Sequence, residues 1–233
     1  MGTWQAARDE LLAGGWQLAA RGDWAWVYRS PDGARAARLC AYDPAYRLHL
    51  RHCQRHAGNP YLPSVLELRD FEGGGHLTVL PWLQASDQTA AYELGARLGF
   101  AANARAHFGA ARAQALELEG QGDPALREIR AILGQMIADG ERELPFFGGV
   151  DLRPANILCT PQGQLQLIDT IFVAGREIIA ALHRDPAAVA RRIAPVHLRA
   201  WLQIACFEAA GADPAFQALR RIVDDLAAVP SPA

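Results

Sequence analysis

Three side chains that carry oxygen ligands stand at close spacing in the second half of the chain. Asp151 lies within the stretch 149–158, Asn156 follows it by five residues, and Asp169 stands 13 residues beyond Asn156. Short apolar runs on either side of the turn residues 161–163 predict a hairpin between Asn156 and Asp169. Carboxylate and amide oxygens are ligands that Mg²⁺ prefers. Two adjoining loops therefore carry oxygen-bearing side chains that could bind a divalent cation.

The elements that must position these residues begin with a strand-rich first third. Apolar runs there are bounded by Gly, Pro and Asp, residues typical of turns, which predicts short strands. The predicted strands cover 16–20, 25–29, 35–40, 64–69 and 76–80. After the third of them, Asp43 and Pro44 provide an N-cap and a first helical residue, so we expect a helix over 44–56.

The remainder of the chain has helical periodicity. Apolar residues recur every three or four positions, and Asp-Pro pairs repeat the helix start signal. The predicted helices cover 87–108 and 123–139 and, after the hairpin, the stretch to residue 228. Patterning alone therefore predicts an α+β fold, with a strand-rich N-terminal lobe over 1–83 and a helical C-terminal lobe over 84–233.

The composition is that of a globular protein without bulk affinity for nucleic acid or membrane. The chain has 233 residues, 51% hydrophobic residues and a net charge of −2. No window approaches the roughly 20 uninterrupted apolar residues of a membrane span, and the charged residues 8–10 do not fit a signal peptide. The four cysteines are scattered without CxxC spacing, which favours reduced, mostly buried thiols and a cytoplasmic location.

All 23 basic side chains are arginines, and the chain contains no lysine. Codon bias and deliberate replacement of lysine by arginine are two explanations. The functional hypothesis is escape from lysine-directed modification, such as ubiquitination, in a host cell. The alternative location is therefore a host cell, reached without a cleavable signal peptide.

The loop of Asp151, the hairpin and Asp169, in a two-lobed order, resemble the protein-kinase-like superfamily over nearly the whole chain. The resemblance implies that Asp151 accepts the proton of the acceptor hydroxyl and that Asn156 and Asp169 hold Mg²⁺. Arg153 and Pro154 resemble the Lys-Pro of Ser/Thr-type catalytic loops, which implies a cation at the transferring phosphate and favours a protein substrate. The implied cofactors are ATP and Mg²⁺.

The same resemblance implies a nucleotide site built from the N-terminal lobe. Gly22 and Val27 stand where a glycine-rich loop would have a glycine and its valine, and Arg38 stands at the nucleotide-anchoring lysine. The resemblance also implies a hinge around Pro81 that contacts adenine and is formed by Leu80, Trp82 and Leu83. The helix over 44–56 contains no acidic residue to orient Arg38. The acidic residues that could substitute are Asp43, Glu67 and Glu72.

The chain departs from the family pattern around Asp151 and Asp169. Gly149 and Val150 replace the usual His-Arg, Thr170 and Ile171 follow Asp169, and no APE-like element follows. We therefore expect no long activation loop and no regulation by loop phosphorylation. Such compact folds resemble the minimal kinases delivered as bacterial effectors.

Three functions follow from the resemblance. The first is a compact Ser/Thr protein kinase with an atypical arginine at the lysine position. The second is a pseudokinase that acts as a binding or scaffold module, and the third is a small-molecule kinase of the aminoglycoside phosphotransferase type.

A group of possible metal ligands lies on one face of the helix predicted over 44–56. The group is His49, His52, Cys53 and His56. A single helix seldom completes a tetrahedral metal site, so packing beside the active cleft is the favoured interpretation.

Overall fold

A computed structural model describes residues 2–208, 210–211 and 213–228. The strands are β1 (Gln17–Arg21), β2 (Ala25–Arg29), β3 (Arg35–Cys40), β4 (Glu67–Asp70), β5 (His76–Pro81), β6 (Gln84–Ala85), β7 (Phe147–Val150), β8 (Ile157–Cys159), β9 (Leu165–Leu167) and β10 (Ile171–Val173). The helices are α1 (Trp4–Ala13), α2 (Pro44–Arg55), α3 (Gln88–Arg97), α4 (Ala102–Phe108), α5 (Ala110–Gly122), α6 (Pro124–Glu143), α7 (Gly175–Arg184), α8 (Pro186–Ala190), α9 (Pro195–Trp201) and α10 (Pro214–Ala228). The fold is therefore α+β, as predicted.

The chain divides into two compact units. The first unit comprises Met1–Pro44, Leu66–Leu80 and Val173–Ala233, and the second comprises Ala45–Val65 and Pro81–Phe172. The lobe boundary between residues 83 and 84 stays a prediction. Within the part of the chain that the structure describes, no helix has both the length and the apolar character to span a membrane.

The first unit is built on a five-stranded sheet with the order β1-β2-β3-β5-β4. The pairs β1/β2, β2/β3 and β4/β5 are antiparallel. One face of this sheet packs on α1, because alternate residues of the strands are apolar and buried. The buried residues of this core include Ala7, Leu11, Trp26, Tyr28, Ala37, Leu39, Leu77 and Val79. Each large side chain in this layer contributes about 1.5–3 kcal/mol by leaving water.

The second unit combines α2 to α6 with two small sheets, β6-β8-β9 and β7/β10. Asp123 caps α6 as the Asp-Pro signal predicts, since its carboxylate accepts the amide N–H groups of Ala125 and Leu126. The single helix predicted over 87–108 is wrong. Gly99 adopts a φ of 90° after α3, and its N–H donates to the Ala96 carbonyl, so the chain ends one helix there and starts α4 in a new direction.

Candidate active site

The pairing of β7 with β10 brings the start of the Asp151 loop beside the segment after Asp169. The two glycines of β7 make this approach possible. A Cβ on Gly148 would lie 2.2 Å from the ring of Phe172, so the ring rests directly on the glycine backbone. Gly149 has a φ of 102°, which a larger residue adopts only with strain. At the end of β7, the N–H of Asp151 donates to the carbonyl of Thr170 at 2.8 Å.

Asn156 ties this loop together through three hydrogen bonds. Its N–H donates to the Arg153 carbonyl at 2.8 Å, which closes the 3₁₀ turn Pro154–Asn156. Its side-chain Nδ2 donates to the main-chain carbonyl of Asp151 at 3.0 Å. Its own carbonyl accepts the N–H of Ile168 at 2.9 Å, one residue before Asp169. Asn156 therefore contacts the chain on both sides of the candidate site.

The predicted hairpin exists and returns the chain to Asp169. Strands β8 and β9 are antiparallel, with Ile157 opposite Leu167. Gly163 closes the turn with a φ of 83° and an N–H that donates to the Thr160 carbonyl at 2.9 Å. The segments of Asp151, Asn156 and Asp169, which the sequence separates by 18 residues, are thus joined by main-chain bonds.

The carboxylate of Asp151 forms an ion pair with Arg153. The Nε of Arg153 donates to Oδ1 at 2.9 Å, and its Nη2 lies 2.7 Å from Oδ2. The Asp151 side chain is 18% exposed and the Arg153 side chain 65% exposed. A bidentate arginine fixes the plane of a carboxylate. A role of Asp151 as a base would therefore require the guanidinium to move or to share the carboxylate.

The side-chain oxygens of Asn156 and Asp169 are of the kinds that bind Mg²⁺. The hydrogen bond from Nδ2 of Asn156 to the main-chain carbonyl of Asp151 fixes the side-chain amide, so that its Oδ1 is not used in that bond. Asp169 is half-buried and carries a carboxylate. No group of three or more His, Cys, Asp and Glu residues suited to a metal occurs within the described ranges. Mg²⁺ commonly binds through one or two protein ligands and completes its shell with water and substrate phosphates. The donor set is of that kind.

In the first unit, the sheet sets Val27 directly opposite Arg38 on neighbouring strands. Nη2 of Arg38 donates to Oδ2 of Asp43 at 2.6 Å, and the two side chains are 13% and 7% exposed. Of the acidic residues left open by the sequence, Asp43 thus contacts the guanidinium, while Glu67 and Glu72 are exposed. Asp43 is the residue immediately before α2, so the start of that helix orients Arg38.

The remaining predicted nucleotide residues lie at strand ends. Gly22 occupies the turn between β1 and β2, and its N–H donates to the Ala25 carbonyl at 2.9 Å. Leu80 is buried near the end of β5, and Trp82 and Leu83 follow before β6. Gly22, Val27, Arg38 and Leu80 belong to the first unit, and Trp82 and Leu83 to the second. Their role at a nucleotide stays a prediction.

Strand β10 and helix α7 follow Asp169 at once, with α7 beginning at Gly175. The stretch therefore has no room for a long activation loop, as expected from the sequence.

The histidine face of α2 is a packing surface. His49 and His52 are fully buried and Cys53 is 2% exposed. Nε2 of His52 donates to Oδ2 of Asp139 at 3.0 Å, since a carboxylate oxygen can only accept. Burial lowers the pKa of His52, and the hydrogen bond to Asp139 opposes that shift. Nδ1 of His49 lies 2.9 Å from Oγ1 of Thr170, a contact that sequence spacing could not reveal because the residues are 121 positions apart.

All four cysteines are free. Burial raises the pKa of Cys40 and of Cys53 to about 12, so both remain thiols. The expectation that the cysteines are mostly buried is only half right, since Cys159 is half-buried and Cys206 exposed.

A cavity of about 380 Å³ lies in the second unit at the C-terminal end of α2. Its walls include Cys53, His56, Asn59 and Gln166. None of the three oxygen-ligand residues lines it, so the cavity is separate from the candidate site.

No family model matches the chain. The curated proteins contain no match either. The chain is similar to several solved structures, with TM-scores such as 0.38 and 0.32.

The chain is similar to the CAK complex from Chaetomium thermophilum bound to ATP-gamma-S, with a TM-score of 0.38 and 15% identity over 70% of this chain and 48% of that chain. The aminoglycoside phosphotransferase APH(3'')-Id from Streptomyces rimosus has a TM-score of 0.37 and 16% identity over 97% of this chain and 99% of that chain. The macrolide 2'-phosphotransferase MphH from Brachybacterium faecium has a TM-score of 0.32 and 18% identity over 98% of this chain and 100% of that chain.

Two of these three solved structures are phosphotransferases, one of an aminoglycoside and one of a macrolide. The chain spans about half the length of the first of them. At such TM-scores and identities the likeness supports no conclusion about function by itself. A function for this chain must rest on its own residues.

Proposed function

We propose that this chain is an ATP- and Mg²⁺-dependent phosphotransferase. The observation that carries the proposal is the hydrogen bond from Nδ2 of Asn156 to the carbonyl of Asp151, together with the bond from the Asp151 N–H to Thr170. These bonds hold a carboxylate and an amide oxygen on one loop and join that loop to the segment that follows Asp169. A candidate base and two candidate metal ligands thus belong to one hydrogen-bonded assembly.

In the proposed reaction, Asp151 accepts the proton of the acceptor hydroxyl. The acceptor oxygen forms a bond to the γ-phosphorus of ATP as the bond from that phosphorus to the β–γ bridging oxygen breaks, and ADP leaves. Asn156 and Asp169 would hold Mg²⁺, which neutralises charge on the phosphates when bound. Arg153, once released from Asp151, offers two parallel N–H donors to the transferring phosphate.

The nucleotide anchor of this proposal is Arg38. Asp43 fixes its guanidinium next to Val27, whose side chain would cover the base, as the pairing of β2 with β3 supports. The fork of an arginine binds phosphate oxygens in pairs, whereas a lysine presents a single point charge. Main-chain groups of Gly22 would approach the phosphates, and those of Leu80, Trp82 and Leu83 would meet the adenine.

The acceptor that we propose is the Ser or Thr hydroxyl of a protein. The basis is Arg153 followed by Pro154, which corresponds to the cation of Ser/Thr-type loops. A second candidate is a pseudokinase that binds partners without transfer. The observation that favours the pseudokinase is the ion pair in which Arg153 contacts both carboxylate oxygens of Asp151, because this ion pair occupies the candidate base.

The test is stabilisation of the protein by ATP with and without Mg²⁺. A ligand present at about 100 times its dissociation constant raises the free energy of unfolding by about 2.7 kcal/mol. We expect a Mg²⁺-dependent rise in the melting temperature of the wild type, and loss of the Mg²⁺-dependent part in Asp169→Ala. Glu141→Ala, which removes an exposed carboxylate of α6, is the matched control and should behave as wild type. Absence of any shift in the wild type would favour the pseudokinase.

A further inference from the structure

Thr170 lies at the centre of a buried chain of hydrogen bonds that links α2, α6 and the candidate site. Its side chain and that of His49 are both 0% exposed. Oγ1 of Thr170 lies 2.9 Å from Nδ1 of His49 and donates to Sδ of Met136 at 3.3 Å. The other ring nitrogen of His49, Nε2, lies 3.3 Å from Sγ of Cys53. All four residues belong to the second unit.

One set of donor and acceptor roles satisfies every polar atom of this hydrogen-bonded chain. In this set the hydroxyl of Thr170 donates to Sδ of Met136, and Nδ1 of His49 carries a proton and donates to Oγ1 of Thr170. Nε2 is then an acceptor, and the thiol of Cys53 is its donor. Burial raises the pKa of Cys53 to about 12, so this thiol keeps the proton that it donates. Buried polar groups with complete partners specify a unique local arrangement.

The main chain of Thr170 connects this buried chain to the candidate site. Its carbonyl accepts the N–H of Asp151 at 2.8 Å, and its amide joins it to Asp169. The side chain of Thr170 is thus held by α2 and α6 while its backbone touches the candidate base and adjoins a candidate metal ligand. A displacement of Thr170 would move both acidic residues.

We propose that His49 and Thr170 are positioning residues: the chain Cys53–His49–Thr170–Met136 sets the direction of the Asp169 carboxylate and anchors the amide of Asp151. This inference rests on the proposed function and deepens it. It gives α2 a role at the metal site through a buried hydrogen bond, in a helix that offers no acidic residue. Groups that orient metal ligands typically contribute 10–100-fold to metal affinity. We expect a loss of Mg²⁺ affinity of about this size when the hydrogen-bonded chain is broken.

The test replaces Thr170 by Val, which keeps the side-chain shape and removes the hydroxyl, and by Ser, which keeps the hydroxyl. The readout is the Mg²⁺ concentration that gives half of the ATP-dependent thermal stabilisation. We expect Thr170→Val to raise this concentration about 10–100-fold, and Thr170→Ser to stay close to wild type. Amide hydrogen exchange should also become faster at Asp151 in the valine variant, because its carbonyl partner is no longer fixed.

A second pair of variants covers the case in which Thr170→Val does not fold. The side-chain amide of Asn reaches the position of Nδ1 in a histidine, whereas that of Gln reaches the position of Nε2. His49→Asn should therefore keep the bond to Thr170 and a Mg²⁺ requirement near wild type, and His49→Gln should lose both.

The outcomes separate this inference from the proposed function. A Mg²⁺ requirement that is the same in wild type, Thr170→Val and His49→Gln, with only the melting temperature lowered, would mean a purely structural role and would overturn the inference alone. A folded wild type without any shift from Mg²⁺ and ATP would overturn the proposed function, and the inference with it.

Discussion

Replacement of Asp151 by Asn separates the chemical role of this carboxylate from its structural role. The main chain of Asp151 is held by bonds that leave the side chain out: its N–H donates to Thr170 at 2.8 Å and its carbonyl accepts Nδ2 of Asn156 at 3.0 Å. The lost ion pair contributes little, because the Arg153 side chain is 65% exposed and exposed pairs contribute about 0–1 kcal/mol. The amide oxygen of the new side chain can still accept a hydrogen bond from Arg153. We therefore expect the free energy of unfolding to change by less than about 1 kcal/mol.

The rate should respond very differently from the stability. Loss of a general base lowers a rate by about 10²- to 10⁴-fold, which corresponds to about 3–5.5 kcal/mol of activation free energy. The assays are urea unfolding, followed by circular dichroism, and transfer of γ-phosphate at saturating ATP. Arg153→Ala is the matched variant, since it breaks the same ion pair but keeps the carboxylate.

Two results would refute this reasoning. One is an Asp151→Asn protein that loses more than about 2 kcal/mol of stability, well above the range for an exposed pair. The other is a transfer rate in that variant above about a tenth of the wild-type rate, too high for a lost general base.

Two further predictions concern stability in the second unit. In Gly120→Ala, the new Cβ would lie 2.2 Å from the carbonyl oxygen of Arg97, so the free energy of unfolding should fall by about 1–3 kcal/mol. In Gly134→Ala, nothing lies within 4 Å of the new Cβ, so the free energy of unfolding should rise by about 0.5–1 kcal/mol in this exposed helix interior. Equal effects of the two substitutions in urea unfolding would contradict this expectation. Burial lowers the pKa of His52 in the folded protein below the value of about 6.5 that it has in the unfolded chain. Between these two pKa values the unfolded chain binds more protons than the folded protein. The free energy of unfolding should therefore fall as the pH drops from about 6.5 through the folded pKa. His52→Gln should flatten unfolding curves measured across this range of pH, and a slope identical to wild type would count against the assignment.

Local signals in the sequence were sufficient for the strands and helices that have clear boundaries. Strands β2 and β3 have the predicted bounds, because their apolar runs end at Gly, Ser and Pro. The carboxylate of Asp185 accepts the Ala188 N–H at 2.9 Å and that of Asp213 the Ala215 N–H at 2.7 Å, as the Asp-Pro pairs predict. These features depend on neighbouring residues alone.

Features set by distant parts of the chain were not predictable. Helix α1 has no strong apolar stripe of its own and becomes buried only against the sheet of the first unit, through Ala7 and Leu11. Strand β10 has three residues, too few for a periodic pattern, and its pairing with β7 depends on Gly148. The bond between His49 and Thr170 joins two segments 121 residues apart, a distance over which spacing carries no information.

The candidate site shows the same division. The spacing of Asp151, Asn156 and Asp169 predicted a shared site, and the main-chain bonds join their segments. The sequence did not identify the partner of Arg38, because α2 contains no acidic residue at the place where the family pattern has one. Asp43 fills that role from the residue before α2, which only the three-dimensional arrangement reveals.

The most direct test of the central claim is transfer of labelled γ-phosphate from ATP. The wild type is incubated with and without Mg²⁺, alone and with a cell lysate, beside Asp169→Ala. We expect incorporation that requires Mg²⁺ and disappears in the variant. A folded wild type that transfers no phosphate, or a variant that transfers as well as the wild type, would contradict it.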